Sequence, residues 1–143
     1  MSDSLNILIA EDHKMTARLL QSVLNKQPNM QVVDVLANGK DVVAAMSNVD
    51  IDVLLLDLEL PIMNGFDIIA SLGQAQKDKV LVLSAHTEPE VISRSKELGA
   101  KGYMSKRIGM KELVDGIRCV AGGKNYFEYE YGNFEMKKVE LVK

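Results

Sequence analysis

The sequence predicts an α/β domain in which a doubly wound parallel sheet carries helices on both faces. Two observations predict this class: short apolar runs alternate with segments of helical periodicity, and several of the runs are apolar at every position. A strand that is apolar throughout is buried on both faces, as happens when helices cover a parallel sheet. Right-handed crossovers between such strands then produce the doubly wound arrangement. The length of 143 residues suits one domain.

Five segments have the composition of strands, and in chain order they are residues 5–10, 31–36, 53–56, 80–83 and 102–104. The third and fourth are continuous apolar runs and the first is interrupted only by Asn6, which is typical of central strands in a parallel sheet. The second follows the helix-breaking Pro28-Asn29 pair and ends before the turn dipeptide Asn38-Gly39.

Five segments with apolar residues at helical spacing follow these strands. The first carries Met15, Leu19, Leu20, Val23 and Leu24, and the others lie within residues 42–46, 66–70, 91–98 and 113–121. The fourth ends at Gly99 and the fifth at Gly122-Gly123, as expected of helix C-termini.

Composition excludes several classes of function. The net charge is -3 and the basic residues form only short clusters, so we expect no nucleic acid binding by this chain. No apolar run approaches the roughly 20 residues of a membrane span, and the N-terminus has no signal-like region. With a single cysteine as well, we expect a cytoplasmic protein without a membrane partner.

Chemically active side chains stand at the ends of four predicted strands. Glu11-Asp12 follow the first strand, Asp57 follows the third, Ser84 follows the fourth and Lys106 follows the fifth. Because the carboxyl ends of parallel strands meet at one sheet edge, these groups converge on one crevice. Crowded carboxylates repel one another unless a cation intervenes. No His or Cys is expected to accompany the carboxylates at ligand spacing, so a hard ion, Mg²⁺, is the predicted cofactor.

This site suits phosphoryl transfer, with Asp57 as the nucleophile that forms an acyl phosphate. Lys106 and the metal would neutralise the phosphoryl oxygens, and the Ser84 hydroxyl would donate a further hydrogen bond. Each residue taken alone has a simpler interpretation, because Glu11-Asp12 also suit a helix cap and Lys106 a solvated surface. Their joint placement favours the site.

Four segments resemble the CheY-like receiver domains of two-component response regulators over about residues 5–123. They are Ile9-Ala10-Glu11-Asp12-His13, Leu55-Leu56-Asp57-Leu58-Glu59-Leu60-Pro61-Ile62-Met63-Asn64-Gly65, Leu83-Ser84-Ala85 and Gly102-Tyr103-Met104-Ser105-Lys106. The resemblance implies a flavodoxin/CheY-like sheet of order 2-1-3-4-5, the doubly wound fold named for that family. It also implies a signalling phosphoprotein whose chemistry is autocatalytic phosphotransfer and autodephosphorylation, not conventional enzymatic turnover.

The resemblance assigns a role to each site residue. Glu11 and Asp12 match the acidic pair that holds Mg²⁺. Asp57 matches the phosphoacceptor, and the backbone carbonyl of Glu59 matches a further metal ligand. Lys106 matches the phosphate-binding lysine.

Ser84 and Tyr103 match the hydroxyl and aromatic residues of the conformational switch. The side chains of Glu59 and His86 match positions that tune phosphoryl lifetime, although solvated loop side chains are an equally open interpretation.

Two segments resemble the NarL/LuxR subgroup: the Glu11-Asp12-His13 triplet and the ending Ala121-Gly122-Gly123-Lys124-Asn125-Tyr126. Members of this subgroup usually continue into a DNA-binding domain. The resemblance implies a histidine kinase or phosphotransfer protein as phosphodonor. It allows a homodimer through the face of the fourth helix, fifth strand and fifth helix. Either an excised receiver of a transcription regulator or a stand-alone receiver fits. Two alternatives remain, a phosphorylation-independent interaction module and, less favoured, a hydrolase with an Asp nucleophile.

Residues 1–123 are expected to form the receiver domain and residues 124–143 an extension of another kind. Apolar and charged residues alternate in residues 127–131 and 134–136 around Gly132-Asn133. This pattern indicates a hairpin, although a truncated linker is also open.

Overall fold

A seven-stranded sheet forms the centre of the protein. A computed structural model describes residues 4–131 and 135–141. The strands are β1 (Leu5–Ala10), β2 (Met30–Leu36), β3 (Val53–Leu56), β4 (Val80–Ser84), β5 (Gly102–Ser105), β6 (Asn125–Tyr131) and β7 (Glu135–Leu141). Their spatial order is β2-β1-β3-β4-β5-β6-β7. The doubly wound α/β class is therefore confirmed, while the count of five strands was wrong because β6 and β7 extend the sheet beyond β5.

Helices connect the strands on both sides of the sheet. They are α1 (Lys14–Asn25), α2 (Gly39–Asn48), α3 (Gly65–Ser71), α4 (Gln74–Lys77), α5 (Pro89–Glu97) and α6 (Met110–Ala121). The short α4 was not predicted, because its four residues include only one apolar side chain, Ala75, and therefore have no apolar periodicity. Within the described residues, no helix is both long and apolar enough to cross a membrane.

The alternation of side chains along each strand divides the core into two layers. In β1, Leu8 and Ala10 belong to the layer under α2, α3 and α5, while Ile7 and Ile9 belong to the layer under α1 and α6. Every residue of β3 is buried, which explains why its sequence is apolar throughout. A strand buried on both faces holds its ends firmly, so groups that follow β1 and β3 occupy defined positions.

The C-terminal strands continue the same sheet. Strand β6 runs parallel to β5, and β7 pairs antiparallel with β6 from Asn125↔Leu141 to Tyr131↔Glu135. The turn that the sequence suggests at Gly132-Asn133 lies outside the described residues. The domain boundary after residue 123 stays a prediction, although hydrogen bonding of the sheet continues across it.

Candidate functional site

The sheet ladder itself carries the site residues to one edge. The backbone N–H of Asp57 donates to Ala10 O at 3.0 Å, and that of Lys106 donates to Ser84 O at 2.9 Å. Glu11 directly follows β1. These groups therefore sit on the last rungs of the ladder and not on free loops. The structure brings Glu11, Asp57 and Lys106 together as the sequence predicts.

One ammonium group lies between two buried carboxylates. Lys106 Nζ is 2.7 Å from Glu11 Oε1 and 3.3 Å from Asp57 Oδ2. Glu11 and Asp57 are 3% and 4% exposed, so water screens neither charge effectively. The ammonium lies closer to Glu11 than to Asp57, so it stabilises the negative charge of Asp57 less than that of Glu11.

Asp57 is incompletely satisfied. Its Oδ1 accepts a long hydrogen bond of 3.3 Å from Glu59 N, while Oδ2 is buried without any hydrogen-bond partner. Lys106 lies at ion-pair distance from Oδ2 but does not make a hydrogen bond to it. Burial raises the pKa of Asp57, the nearby Glu11 charge raises it further, and Lys106 only partly offsets them. The free oxygen is the atom a nucleophile needs.

The groups around Glu11 shift its pKa in the direction opposite to that of Asp57. Burial pushes its pKa upward, but hydrogen bonds from Lys106 and His13 outweigh burial and lower the pKa overall. For Lys106, burial favours the neutral amine, but the Glu11 hydrogen bond and the Asp57 charge raise its pKa. Lys106 therefore stays a cation and Glu11 a carboxylate.

A fourth potential ligand joins the carboxylates. Ligand atoms of Glu11, Asp12, His13 and Asp57 all lie within 4.8 Å of one another. His13 Nδ1 is 2.7 Å from Glu11 Oε2 and 3.5 Å from Asp12 Oδ1, and the Glu11 contact raises the His13 pKa. The expectation that no histidine accompanies the carboxylates was therefore wrong. The signal was present in the sequence, since His13 directly follows Asp12.

The donor set fits a hard cation better than a soft one. Three of the four groups are carboxylates, and His13 is already committed to Glu11. The Oδ2 of Asp57, which has an ion-pair contact with Lys106 but no hydrogen bond, adds a buried acceptor. Oxygen-rich sites of this kind suit Mg²⁺. Glu11 is more than a helix cap, because its Oε2 accepts a hydrogen bond from the backbone N–H of His13, the N-cap of α1, at 3.0 Å while its Oε1 binds Lys106.

Ser84 and Tyr103 are linked through one loop residue. Ser84 Oγ accepts a hydrogen bond from His86 N at 3.1 Å, and the Tyr103 hydroxyl donates to His86 O at 2.7 Å. Both side chains are fully buried, and burial raises the pKa of Tyr103 to about 12. The ring of the predicted switch residue Tyr103 therefore lies inside the protein.

Glu59 and His86 meet each other across the rim of the site. His86 Nε2 lies 2.6 Å from Glu59 Oε2, while His86 Nδ1 lies 3.4 Å from Glu88 Oε1. The hydrogen bond from Glu59 raises the pKa of His86, and the same bond lowers the pKa of Glu59. The sequence indicated both positions but not their pairing, which depends on the paths of two separate loops.

The loop after Asp57 is held by a helix cap and contains one strained residue. Asn64 caps α3 through a 3.0 Å hydrogen bond from Asp67 N. Gly65 packs so tightly that an added Cβ would lie 2.6 Å from Leu58 Cα. Ile62 has φ 73°, which is unusual for a β-branched residue, and it is 78% exposed.

Comparison with known families identifies the class of this domain. Residues 7–118 match the family model of the response regulator receiver domain. The matched span contains every residue of the site described above. The chain belongs to the response regulator receiver family, and the resemblance to CheY-like receivers is confirmed.

Relatives and structures agree with this assignment. The chain is 28% identical over 123 residues to the response regulator UvrY of Escherichia coli (strain K12), covering 85% of this chain and 56% of UvrY. It is 30% identical over 137 residues to YvfU of Bacillus subtilis (strain 168), an uncharacterized transcriptional regulatory protein, covering 95% of this chain and 68% of YvfU. The chain thus spans little more than half the length of UvrY.

Two solved structures show the same fold. The signal receiver domain of NarL from Mycobacterium tuberculosis superposes with a TM-score of 0.78 at 24% identity, covering 85% of this chain and 98% of that one. A LuxR-family response regulator from Aurantimonas sp. SI85-9A1 gives a TM-score of 0.79 at 22% identity, covering 85% and 87%. These neighbours show that the chain has the fold of a receiver domain.

Proposed function

We propose that this receiver is a phosphorylation switch in which Asp57 accepts a phosphoryl group from a phosphohistidine. The observation that carries the proposal is the buried, unpartnered Oδ2 of Asp57 beside the Lys106 ammonium, at the common end of four strands. A carboxylate in this position is poorly satisfied in its resting state and has a cation beside it that can neutralise an incoming phosphoryl group. Both properties favour its conversion to an acyl phosphate.

The transfer needs no separate enzyme. A carboxylate oxygen of Asp57 forms a bond to phosphorus while the phosphorus–nitrogen bond of the donor imidazole breaks, and the imidazole nitrogen keeps the electron pair. The Lys106 ammonium neutralises a phosphoryl oxygen, and the Ser84 hydroxyl donates a hydrogen bond to another. Hydrolysis of the acyl phosphate by water later restores the carboxylate.

A magnesium ion is part of this proposal. Glu11, Asp12, Asp57 and the backbone carbonyl of Glu59 would hold it, supported by the clustered ligand atoms and the oxygen-rich donor set. When bound, Mg²⁺ supplies positive charge to the phosphoryl oxygens. His13 does not need to bind the ion, since its contact with Glu11 orients that carboxylate.

Glu59 and His86 are proposed to tune the lifetime of the phosphoryl group. Their 2.6 Å bridge links the two loops beside the acceptor, so it would restrict the approach of water to Asp57. Ser84 and Tyr103 are proposed as the switch, because a turn of the Ser84 hydroxyl toward the phosphoryl group breaks its contact with His86 N.

An apolar groove beside the acceptor supports a protein phosphodonor, either a histidine kinase or a phosphotransfer protein. Its walls come from α1, α6 and the loop between β5 and α6, and Lys106 lines it together with Leu19, Leu20 and Ile108. The exposed Met15 adjoins it on the first turn of α1. A partner seated there has its phosphohistidine next to the acceptor, in the cytoplasm where we expect the exchange to occur.

We further propose that the output is transcription in a longer regulator. UvrY is named a response regulator, and YvfU and DegU are named transcriptional regulatory proteins. A homodimer through α5, β5 and α6 would need the edge of β5, which β6 of the same chain occupies here. Dimerisation through that face therefore requires β6 to move.

Incubation with Mg²⁺ and acetyl phosphate, followed by intact-protein mass spectrometry, tests the core of the proposal. The native protein should gain one phosphoryl group, and Asp57→Asn should gain none. Asp52→Asn is the matched control, because Asp52 lies at the opposite end of β3 and should leave labelling unchanged. Undiminished labelling of Asp57→Asn would overturn the assignment.

A further inference from the structure

The outer edge of β5 is closed by the chain's own extension. Strand β6 pairs with β5 in parallel, with Gly102 opposite Tyr126 and Tyr103 opposite Phe127. The Tyr126 N–H donates to Lys101 O at 3.0 Å. Tyr126 and Phe127 are 1% and 0% exposed. The hairpin is thus anchored by two successive aromatic side chains.

The two aromatic anchors enter different layers of the core. Phe127 packs in the same layer as Tyr103 and Ile92, whereas Tyr126 packs in the opposite layer with Met104. Adjacent strand residues point to opposite faces, so one strand reaches both layers at once. This double anchorage explains why β6 stays paired with β5.

Neighbouring elements leave room for the anchors. An added Cβ on Gly102 would lie 2.6 Å from Tyr126 O, and one on Gly116 would lie 3.3 Å from Tyr126 Cδ1. The Lys96 ammonium lies 5.3 Å from the centroid of the Phe127 ring. The face formed by α5, β5 and α6 therefore provides a fitted seat for β6.

A short series of contacts connects this seat with the phosphorylation site. Ser84 Oγ accepts from His86 N, and the Tyr103 hydroxyl donates to His86 O at 2.7 Å. Tyr103 is in turn the register neighbour of Phe127. Ser84 and Phe127 are thus linked through only two intermediate residues.

We propose that the β6–β7 hairpin is the output element of this receiver, docked on β5 while Asp57 is unmodified and loosened when Asp57 is phosphorylated. The inference rests on the proposed function of Asp57. When the phosphoryl group draws the Ser84 hydroxyl away from His86 N, the His86 loop shifts and moves the carbonyl oxygen that accepts from the Tyr103 hydroxyl. Phe127 then loses its packing against a fixed ring, and the edge of β5 becomes available. The vacated seat fits a strand that carries two successive large apolar side chains, one for each layer.

Hydrogen exchange on the full chain tests this inference. Exchange of the backbone amides of residues 102–105 and 125–131 is followed by mass spectrometry, with Mg²⁺ alone and with Mg²⁺ and acetyl phosphate. We expect phosphorylation to speed exchange in both segments by at least about fivefold, the lower end of typical coupling between sites. Exchange in β1 should not change, and Asp57→Asn should show no response.

A reciprocal measurement uses the anchor itself. If phosphorylation loosens the hairpin, weakening the hairpin must favour the phosphorylated state in return, because coupling between two sites is reciprocal. Phe127→Ala should therefore reach a higher phosphorylated fraction at limiting acetyl phosphate. Phe127→Leu, which preserves more packing and serves if Phe127→Ala fails to fold, should give a smaller rise in the same direction.

The outcomes separate the two proposals. A phosphoryl group on Asp57 with unchanged exchange in residues 125–131 overturns the role of the hairpin and leaves the phosphorylation switch intact. The absence of any phosphoryl group overturns both. Faster exchange in Asp57→Asn as well shows an effect of the reagent and also contradicts the inference.

Discussion

The buried carboxylate of Asp57 should lower the free energy of unfolding of the native protein. The Asp57→Asn variant should recover part of that loss. Asp57 is 4% exposed, and its Oδ2 has no hydrogen-bond partner. The single ammonium of Lys106 lies nearer to Glu11 than to Asp57. Removing the Asp57 charge therefore removes a buried, poorly compensated group, while Lys106 keeps its contact with Glu11.

The expected gain follows from the unsatisfied oxygen. A buried acceptor without a partner costs about 1–3 kcal/mol. Since the amide of the variant is also partly desolvated, we expect Asp57→Asn to be more stable by about 1–2 kcal/mol at neutral pH without divalent ions.

The pH dependence has a defined sign. The folded pKa of Asp57 is raised above 3.8, so the folded protein binds this proton more tightly than the unfolded chain does. The stabilising effect of the protonated group is present below 3.8 and is lost as pH rises through the folded pKa. The advantage of Asp57→Asn should therefore be smallest in acid and grow with pH across that window.

Urea unfolding followed by circular dichroism measures both effects. Mg²⁺ at ten times its dissociation constant should stabilise the native protein by about 1.4 kcal/mol. It should stabilise Asp57→Asn less, because one ligand is lost. Asp52→Asn is the control, since Asp52 Oδ2 already accepts a 2.7 Å hydrogen bond from Asn6 N and should show no gain. An Asp57→Asn protein no more stable than the native one without Mg²⁺ would refute the reasoning.

Three further changes test the geometry around the site. Ile62→Gly should stabilise the protein by about 0.5–1 kcal/mol in urea unfolding, because φ 73° strains a β-branched residue by more than glycine costs in entropy. Val49→Gly, at an exposed position with φ -123°, should destabilise it instead. Gly39→Ala should cost at least about 2 kcal/mol and slow acetyl phosphate labelling, because its Cβ would lie 1.8 Å from a backbone oxygen of the loop after β3. In an NMR titration, the raised pKa of His86 should fall toward 6.5 in Glu59→Gln; an unchanged titration would show that the 2.6 Å bridge does not form.

The residues on the sheet ladder were predictable, and the contacts between loops were not. Glu11, Asp57 and Lys106 follow apolar strands directly, so the parallel topology alone brings them together. The bridge from Glu59 to His86 depends on two loop conformations that no periodicity describes.

The sequence indicated that the two C-terminal strands pair with each other, but it did not indicate that they join the main sheet. Alternating residues indicated a hairpin, and β6 and β7 do pair antiparallel within the described residues. Nothing in that alternation indicates that β6 also joins β5 in parallel. Tyr126 and Phe127, both buried, depart from the pattern of a strand with one solvated face.

Backbone hydrogen bonds of the sheet hold the site residues in place. Phosphoryl labelling of Asp57 therefore depends on prior formation of the sheet. Asp57 N binds Ala10 O, and Lys106 N binds Ser84 O, so acceptor and cation meet only after segments far apart in sequence have paired in register. A slip of one residue displaces a strand by about 3.3 Å and reverses its faces. Nascent, unfolded or misregistered chains therefore have no competent acceptor. On the proposed function, any phosphorylated molecule of this protein is therefore a correctly folded one.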